Sequence, residues 1–392
     1  MSDVVIASTC RTAVGSYQGS LTKLSALDLG QVVILEAMAR AGLEPGDVDE
    51  VIMGNVLPHG LGQNPARQAV LRAGLPFEVE CLTINKVCGS ALKAVMLAAQ
   101  AVASGDAQVV VAGGMESMSN APYLLLNNRA GYRMGDGKCI DAMVCDGLWD
   151  HINDFHMGMS AELCAEKYGV SREDQDQFAV DSYNKSYQAS TEGRFKEQIV
   201  PVKVPQRKGD PVVVDTDEGL RQSSLDQLSK LKPVFKKDGS VTAGNASSLN
   251  DGAAAVVVMS AAAAKERGLK PLVKVGAQGA AGIDPKYVLV APILSIPKVC
   301  QKQGIDPKDI DLHEVNEAFS SSSVAVQRTL GLDPDKINIY GGSVSIGHPI
   351  GASGVRVLTT LIYAMKDTGA ATGMASLCLG GGEAVSLFVE NL

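Results

Sequence analysis

Short apolar runs alternate with longer stretches of helical period along most of the chain. The runs VVIAS (4–8), EVIMGNV (50–56) and QVVVAGG (108–114) have the length and the β-branched content of buried strands. Residues 26–42 and 91–105 repeat apolar side chains with a period near 3.6 and predict helices. This alternation indicates βαβ units, an α/β fold and a largely parallel sheet.

The layout of the first part of the chain recurs in the last part. DVDEVIMGNV is followed by the turn NKVCGS with a helix, and then by QVVVAGGMESM. DIDLHEVNEAF is followed by the turn GGSVSIGHPIGASG with a helix, and then by GMASLCLGGGEA. The shared order of strand, strand-to-helix turn and glycine-rich loop indicates two copies of one α/β half. A chance match between two α/β patterns is the alternative that the residues leave open.

A stretch of different character, roughly residues 119–248, separates the two halves. It holds irregular polar sequence, a helix predicted over 171–190, and a segment rich in proline and lysine. We expect residues 1–118 with 249–270 to form an N-terminal half, and 271–392 to form a C-terminal half. Residues between the halves would then form an inserted loop domain.

Composition and charge exclude some classes of protein. The chain has 392 residues, of which 46% are hydrophobic, and its formal net charge of −8 argues against general binding of nucleic acid or anionic membranes. Residues 194–240 depart from this balance, because ten Lys/Arg minus seven Asp/Glu leave a net charge of +3. This segment either faces a phosphorylated ligand or is an ordinary solvated surface.

Targeting signals are not evident in the sequence. No apolar run approaches the roughly 18 residues that span a bilayer. The first residues lack the basic region and the small-residue cleavage site of a secretory signal. We therefore expect a cytoplasmic protein.

Cysteine is the first residue type that suggests chemistry. The eight cysteines are scattered without any C-x-x-C pair, so a disulfide framework or a metal site is not expected. Cys88 differs from the others because it lies between a strand-like run and the Gly-Ser that opens an apolar helix. The positive end of a helix dipole and free N–H groups favour a thiolate, which is the nucleophilic form. A buried structural cysteine is the alternative interpretation.

Three more residues lie in motifs that suit catalysis. His348 lies in a rigid Gly- and Pro-containing turn that opens a helix, where it could act as the base for a thiol. Cys378 precedes three glycines whose N–H groups could bind an oxyanion. Asn316 is polar among apolar neighbours and needs a partner or a function. A packed loop, a buried strand cysteine and a satisfied core amide are the corresponding alternatives.

Taken together, these motifs resemble the thiolases. The similarity runs in order from RTAVGSYQGSL through NKVCGSALKAV, HMGMSAE, GNASSLNDGAAA, NEAF and GHPIGASG to CLGGGEA. It covers essentially the whole chain and is closest to the short-chain biosynthetic members. The resemblance implies a layered αβαβα fold made of two βαβαβαββ halves with an inserted loop domain.

The resemblance also implies a role for each residue. Cys88 would be the acylated nucleophile, and Cys378 would remove the α-proton of the second acyl-CoA. His348 would activate Cys88 and form one oxyanion hole together with a water held by Asn316. The N–H groups of Cys88 and Gly380 would form the other oxyanion hole. The coenzyme A site would be lined by Leu148, His156, Met157, Arg221, Ser247, Ala318 and Phe319.

The implied reaction is the condensation of two acetyl-CoA to acetoacetyl-CoA and CoA, with the reverse thiolysis, through a Cys acyl-enzyme in a ping-pong Claisen mechanism. It needs no metal or other cofactor. A broader-range 3-ketoacyl-CoA thiolase of fatty-acid degradation is the alternative. A silent scaffold would lack one of the catalytic groups, and a ketoacyl synthase would use a Cys with two His. A homotetramer, joined through residues near 120–145, is expected.

The sequence departs from the family pattern in several places. The usual M-G-x-G-P is replaced by VLVAP, so that Val288 stands where a Met tends to line the acyl pocket. A smaller Val288 would admit longer acyl chains, whereas Leu289 would counteract this. The usual GGAIALGHP is replaced by GGSVSIGHP, which introduces Ser343 and Ser345. None of these changes removes a catalytic group.

Overall fold

The computed structural model describes residues 3–392. Its strands are β1 (Val4–Thr12), β2 (Gly15–Ser16), β3 (Glu50–Gly54), β4 (Glu80–Ile84), β5 (Val109–Ser117), β6 (Tyr123–Leu124), β7 (Ile140–Asp141), β8 (Trp149–Asp150), β9 (Phe155–His156), β10 (Ile199–Val200), β11 (Val202–Val204), β12 (Val212–Val214), β13 (Asn250–Ser260), β14 (Val273–Gly282), β15 (Leu312–Val315), β16 (Thr372–Leu379) and β17 (Glu383–Asn391).

The α-helices of the described residues connect these strands. They are α1 (Ala26–Arg40), α2 (Pro65–Arg72), α3 (Ser90–Ser104), α4 (Met157–Tyr168), α5 (Arg172–Thr191), α6 (Leu225–Leu228), α7 (Ala261–Glu266), α8 (Pro292–Gln303), α9 (Ser320–Leu330), α10 (Ser343–Ile346) and α11 (Ser353–Thr368).

Local sequence explains where the long helices begin. α1 starts after Ser25, whose hydroxyl accepts from the Asp28 N–H while the Asp28 carboxylate accepts from the Ser25 N–H. α5 starts with the same reciprocal arrangement between Ser171 and Asp174. Each pair satisfies two N–H groups that the first helical turn leaves without partners. The predicted helices over 26–42, 91–105 and 171–190 are confirmed to within two residues.

The strands form two sheet halves with the same order. The N-terminal half runs β4-β3-β5-β13-β1, and the C-terminal half runs β15-β16-β17-β14. The edge strands β1 and β14 join the halves through short antiparallel pairing, with Val5 opposite Lys274 and Ile6 opposite Val273. In the first half, β4 pairs with the outer side of β3. In the second half, the corresponding side of β15 carries a single bridge between His313 and Ile337. The predicted duplication of an α/β half is therefore confirmed.

The prediction of a largely parallel sheet is wrong. Parallel pairing holds for β3 with β4 and β5, for β15 with β16, and for β1 with β10. The central strands β5, β13, β1, β14, β17 and β16 pair antiparallel. The reason is that each half closes with a strand that returns without a crossover helix, and apolar runs alone do not reveal strand direction.

Helices and sheets alternate in five layers. α1 and α2 cover the outer face of the N-terminal sheet half, and α8 covers the outer face of the C-terminal half. α3 and α11 pack against each other and against strands of both halves, so they form the central layer. This confirms the αβαβα arrangement implied by the resemblance.

The expectation that no apolar run reaches membrane-spanning length is also wrong. The segment Val87–Ser104, which contains α3, has the length and the composition of a membrane span, and 56% of it is buried inside the protein. Its apolar side chains, including Leu92 and Val95, pack in the central layer between the two sheet halves. A helix that is covered by protein on most sides is apolar on most sides, so core packing accounts for its composition.

Residues 119–248 lie mostly outside the central sheet. They contain the short pairs β6–β7, β8–β9 and β11–β12 together with α4, α5 and α6, and only β10 joins a sheet half, beside β1. A buried ion pair fastens this stretch to β1, because Arg11 Nη1 donates to Asp217 Oδ1 over 2.6 Å and both side chains are fully shielded from solvent. The three-part division of the chain given above stays a prediction.

Replacing Asp217 by Ala should destabilise the protein strongly. The Arg11 guanidinium would stay buried without its carboxylate, and breaking a buried pair in this way costs about 3–5 kcal/mol. Urea unfolding followed by circular dichroism measures the change. The control is Asp226→Ala, since the Asp226–Lys230 pair is exposed and should contribute less than about 1 kcal/mol. Equal losses in the two variants would contradict this assignment.

Candidate active site

One cavity of about 380 Å³ lies where the two halves and the loop stretch meet. This volume suits a small organic group or the end of a larger ligand. Its lining includes the predicted residues Cys88, Leu148, His156, Met157, Ser247, Ala318, Phe319, His348, Cys378 and Gly380. Of the predicted residues, Asn316 and Arg221 are not part of the lining.

Cys88 lies on a tight turn between β4 and α3. The preceding residue, Val87, has φ of 47°, a left-handed conformation that is costly for a β-branched side chain. Two side chains hold the turn: Asn85 Oδ1 accepts from the Val87 N–H over 2.9 Å, and the Ser90 hydroxyl donates to the Val87 carbonyl over 2.6 Å. The turn places the thiol on the cavity wall, next to the start of the helix.

The Cys88 thiol is protonated at neutral pH. Burial raises its pKa to about 12, although the N–H groups of Cys88 and Gly380 act in the opposite direction. The N–H groups at the helix end do favour the thiolate, as the sequence predicted, but desolvation of the charged form outweighs them. The same two N–H groups lie near the sulfur, where they can donate to an oxyanion that forms on a group bound to it.

His348 is held in a fixed orientation by its neighbours. Its Nδ1 lies 2.6 Å from the Ser353 hydroxyl, which itself donates to the Pro349 carbonyl over 2.9 Å. The proton of this contact therefore belongs to Nδ1, and Nε2 keeps its lone pair. Asn250 Oδ1 accepts from the His348 N–H over 2.8 Å, where Gly347 with φ of 114° allows the close approach.

The imidazole of His348 is neutral and available as a base. Burial lowers its pKa to about 3, and the positive charge of Arg356 acts in the same direction. Nε2 is buried and makes no hydrogen bond within the protein. A neutral imidazole with a free lone pair on the cavity wall can accept the proton of a thiol.

Cys378 lies at the end of β16, opposite Ala384 of β17. Burial raises the pKa of its thiol, and the neighbouring thiols of Cys88 and Cys164 raise it further. Cys378 and Cys88 line the same cavity. The glycine turn that follows has positive φ at Gly381 and Gly382, so the chain reverses sharply and leaves the Gly380 N–H near the Cys88 sulfur.

Asn316 lies behind the cavity wall, just after β15. Its side chain is buried, and Oδ1 accepts from the Ser343 hydroxyl over 2.6 Å. Nδ2 has no acceptor within the protein. The amide can therefore donate one further hydrogen bond without losing any that it makes.

The opposite wall comes from the loop stretch and the start of the C-terminal half. The Ser247 N–H donates to the Ala318 carbonyl over 3.1 Å, and Ala246 bridges to Phe319. These contacts join the GNAS and NEAF motifs into one wall. Arg221 lies elsewhere, with its guanidinium over the ring of Tyr183 and 2.6 Å from the Tyr183 hydroxyl.

His156 caps the first turn of α4. Its Nδ1 accepts from the Gly158 N–H over 3.0 Å, which leaves the proton on Nε2. Its ring stacks on Phe235 with 4.8 Å between ring centres, and burial lowers its pKa. A neutral His156 can therefore donate a hydrogen bond into the cavity from Nε2.

Three residues that build the site were not predicted from the sequence. Phe235 lies among lysines in KPVFKKDG, so nothing in its surroundings suggested a cavity residue. Asn250 and Ser353 orient His348, although only Ser353 is near it in sequence. The i to i+5 spacing from His348 to Ser353 was the one available signal.

Val288 and Leu289 both line the cavity. They belong to an apolar cluster that also contains Cys378, Cys164 and Val241. The two residues that replace the family pattern therefore form the end of the cavity near Cys378. Within residues 3–392, no group of three or more His, Cys, Asp or Glu side chains is placed to hold a metal ion.

The same architecture occurs in known proteins. The family described as thiolase, N-terminal domain, matches residues 4–262, and the family described as thiolase, C-terminal domain, matches residues 269–391. The chain belongs to the thiolase family of acyltransferases.

Relatives match along their full length. The chain is 56% identical to an acetyl-CoA acetyltransferase of Cupriavidus necator over 100% of both chains. It is 53% identical to an acetyl-CoA acetyltransferase of Pseudomonas aeruginosa over 99% of both. The crystal structure of the Bacillus anthracis acetyl-CoA acetyltransferase superposes with a TM-score of 0.98 at 42% identity, covering 100% of this chain and 99% of that one.

The alkylation of Cys88 by iodoacetamide should accelerate with pH without a plateau up to about pH 9. Its thiol pKa is raised to about 12 and that of His348 is lowered to about 3, so the thiolate fraction grows about tenfold per pH unit in this range. Peptide mass mapping gives the rate at Cys88, with N-acetylcysteine added to the same reaction as the reference thiol. A rate at Cys88 that is constant from pH 6 to 8 would instead indicate a thiolate–imidazolium pair.

Proposed function

We propose that the protein is an acetyl-CoA C-acetyltransferase that condenses two acetyl-CoA to acetoacetyl-CoA and CoA, and that catalyses the reverse thiolysis. The observation that carries the proposal is the meeting of two buried thiols, Cys88 and Cys378, with the free Nε2 of His348 in one cavity. Full-length relatives named acetyl-CoA acetyltransferase support the same activity.

In the first half-reaction, Cys88 attacks the thioester carbonyl of acetyl-CoA. His348 Nε2 takes the thiol proton, and the N–H groups of Cys88 and Gly380 stabilise the tetrahedral oxyanion. The C–S bond to CoA breaks, and the leaving thiolate takes the proton of Cys378. Acetyl-Cys88, imidazolium and a Cys378 thiolate remain, so protons and charge balance.

In the second half-reaction, the Cys378 thiolate removes a proton from the methyl group of a second acetyl-CoA. Its raised pKa makes it a strong base in this dry site. The enolate oxygen is stabilised by the His348 imidazolium and by the hydrogen bond that Asn316 Nδ2 supplies through water. The carbanion attacks acetyl-Cys88, and the Cys88 sulfur leaves with the His348 proton as acetoacetyl-CoA forms.

The proposal also covers the ligands, the coenzyme A site and the location of the enzyme. Acetyl-CoA, acetoacetyl-CoA and CoA are substrates and products, and no metal or other cofactor takes part. Leu148, His156, Met157 and Ser247 line the site of the pantetheine chain, with Arg221 further towards the adenine end. We also propose a cytoplasmic enzyme.

We further propose that the enzyme is a homotetramer joined through the segment near 120–145. Several apolar side chains in this segment are exposed, among them Tyr123 at 66%, Leu126 at 62% and Met134 at 95%. Large apolar side chains that cluster on one exposed loop are typical of an interface between subunits.

The acyl-chain range follows from the end of the cavity. Val288 leaves more room than a methionine would, but Leu289 occupies the same wall. We propose that the acetyl group is the preferred acyl group and that short 3-ketoacyl-CoAs are also accepted. A broader-range 3-ketoacyl-CoA thiolase is the second candidate, and the wall at Val288 is the observation that favours it.

Cys88→Ala should abolish the acetyl-enzyme. Intact-protein mass spectrometry after incubation with acetyl-CoA should show one added acetyl group on the wild type and none on the variant. Thiolysis of acetoacetyl-CoA should fall at least about 10³-fold, since the nucleophile is removed. The matched control is Cys81→Ala, a partly exposed cysteine that does not line the cavity, which should keep both properties. Thiolysis that persisted in Cys88→Ala would refute the mechanism.

Thiolysis should be fastest with the four-carbon substrate among 3-ketoacyl-CoAs of four, six and eight carbons. Leu289→Ala should raise the relative rate for the eight-carbon substrate by about tenfold, because a lost side chain opens the pocket by a few methylene groups. Initial rates at saturating CoA test both statements. A wild-type enzyme that clearly prefers the eight-carbon substrate would favour the broader-range alternative.

A further inference from the structure

A chain of buried hydrogen bonds ends at Asn316. Arg356 Nη2 donates to Ser343 Oγ over 2.9 Å, and Ser343 Oγ donates to Asn316 Oδ1 over 2.6 Å. The three side chains are almost completely buried, with exposures of 1%, 0% and 2% in that order. They come from α11, from the start of α10 and from the residue after β15, so the chain connects three elements around the cavity.

The donor inventory and the distances indicate the direction of each bond. A guanidinium has only donors, so Ser343 Oγ accepts from Arg356 and keeps its own proton for a further bond. The 2.6 Å separation from Asn316 Oδ1 suits an O–H···O bond, so the carboxamide presents its oxygen to Ser343. Its Nδ2 is left as the donor, and no protein group accepts from it. The positive charge at the start of the chain polarises both bonds and strengthens the Nδ2 donor.

We propose that Ser343 is a positioning residue that holds the Asn316 carboxamide with Nδ2 towards the water that contacts the enolate oxygen. The proposal rests on the acetyltransferase function proposed above, in which Asn316 acts on the enolate and not on the acylation of Cys88. The thiolases that the sequence resembles carry Ala in place of Ser343, so this hydroxyl is a feature of the present chain.

The loss of the hydroxyl has a specific consequence. Without Ser343 Oγ, neither Oδ1 nor Nδ2 of Asn316 keeps a protein partner, and the orientation with Oδ1 towards the water becomes accessible. An oxygen placed there cannot donate to that water, so the hydrogen bond from the water to the enolate is weakened. Removing an oxyanion-hole donor entirely costs about 10²- to 10³-fold in kcat, so partial misorientation should cost roughly tenfold.

Two reactions of the same enzyme separate this role from a structural one. Thiolysis of acetoacetyl-CoA passes through the enolate. Exchange of label between acetyl-CoA and free CoA needs only the acylation of Cys88 and its reversal. In Ser343→Ala, kcat for thiolysis should fall by about tenfold, whereas the exchange rate should stay within about twofold of the wild type.

Two further variants complete the test. Ser345→Ala is the matched control, because Ser345 lies on the same short helix and its hydroxyl contacts Ser182 and Gly342, not Asn316; both of its rates should match the wild type. Ser343→Thr keeps the hydroxyl and should restore thiolysis. The exchange rate also shows that each variant is folded.

Each contrary result has a separate meaning. A fall of thiolysis and exchange by the same factor in Ser343→Ala would show a structural role, and unchanged thiolysis would show no role; either overturns the proposal. Failure of the wild type to exchange label would refute the proposed acetyltransferase function instead.

Discussion

The close packing of α3 against α11 is the contact on which the active site depends. Gly354 of α11 faces the α3 backbone so closely that a Cβ there would lie 2.2 Å from the Leu92 nitrogen. The turn before α3 carries Cys88, and the turn before α11 carries His348. Two helices from different halves of the chain can bring these turns together only if their backbones approach to this degree.

The duplication brings the Cys88 turn and the His348 turn together, although the two halves contribute different chemical groups. Each half ends a strand, turns and begins a central helix, and each half also ends a strand in a glycine-containing segment. In the first half the turn supplies a thiol, whereas in the second half it supplies an imidazole. The second half also supplies Cys378 and Gly380, so neither half alone contains the nucleophile, its base and its oxyanion hole.

Burial at this junction determines the chemistry. It raises the thiol pKa values of Cys88 and Cys378 and lowers the pKa of His348. The resting site is therefore neutral, and charge develops only as bonds change. Preoriented N–H groups are most effective in such a site, because little water is present to compete with them. This explains why the helix end at Cys88 matters as a source of N–H donors more than as a means to form a thiolate.

The sequence predicted the parts that depend on local pattern. Capping residues such as Ser25 and Ser171 locate helices, and ordered motifs predicted which residues would line the cavity. The predicted direction of the central strands was wrong, because apolar periodicity is the same for parallel and antiparallel strands. The net pKa shift of Cys88 was not predictable either, because the helix end is visible in the sequence but the desolvation that opposes it is not. Phe235 was missed because its place beside His156 arises only from tertiary packing.

The departures from the family pattern lie beside or behind the groups that react. Val288 and Leu289 form the wall next to Cys378, and Ser343, which does not line the cavity, donates to Asn316. The reacting groups themselves are held by main-chain turns and by partners such as Ser353. Side chains in the next layer can therefore change the room for an acyl chain, or the orientation of one amide, without displacing the thiols or the imidazole. Because different residues hold the reacting groups and shape their surroundings, the acyl-chain specificity and the rate of the enolate step can vary while the acyl-enzyme chemistry is kept.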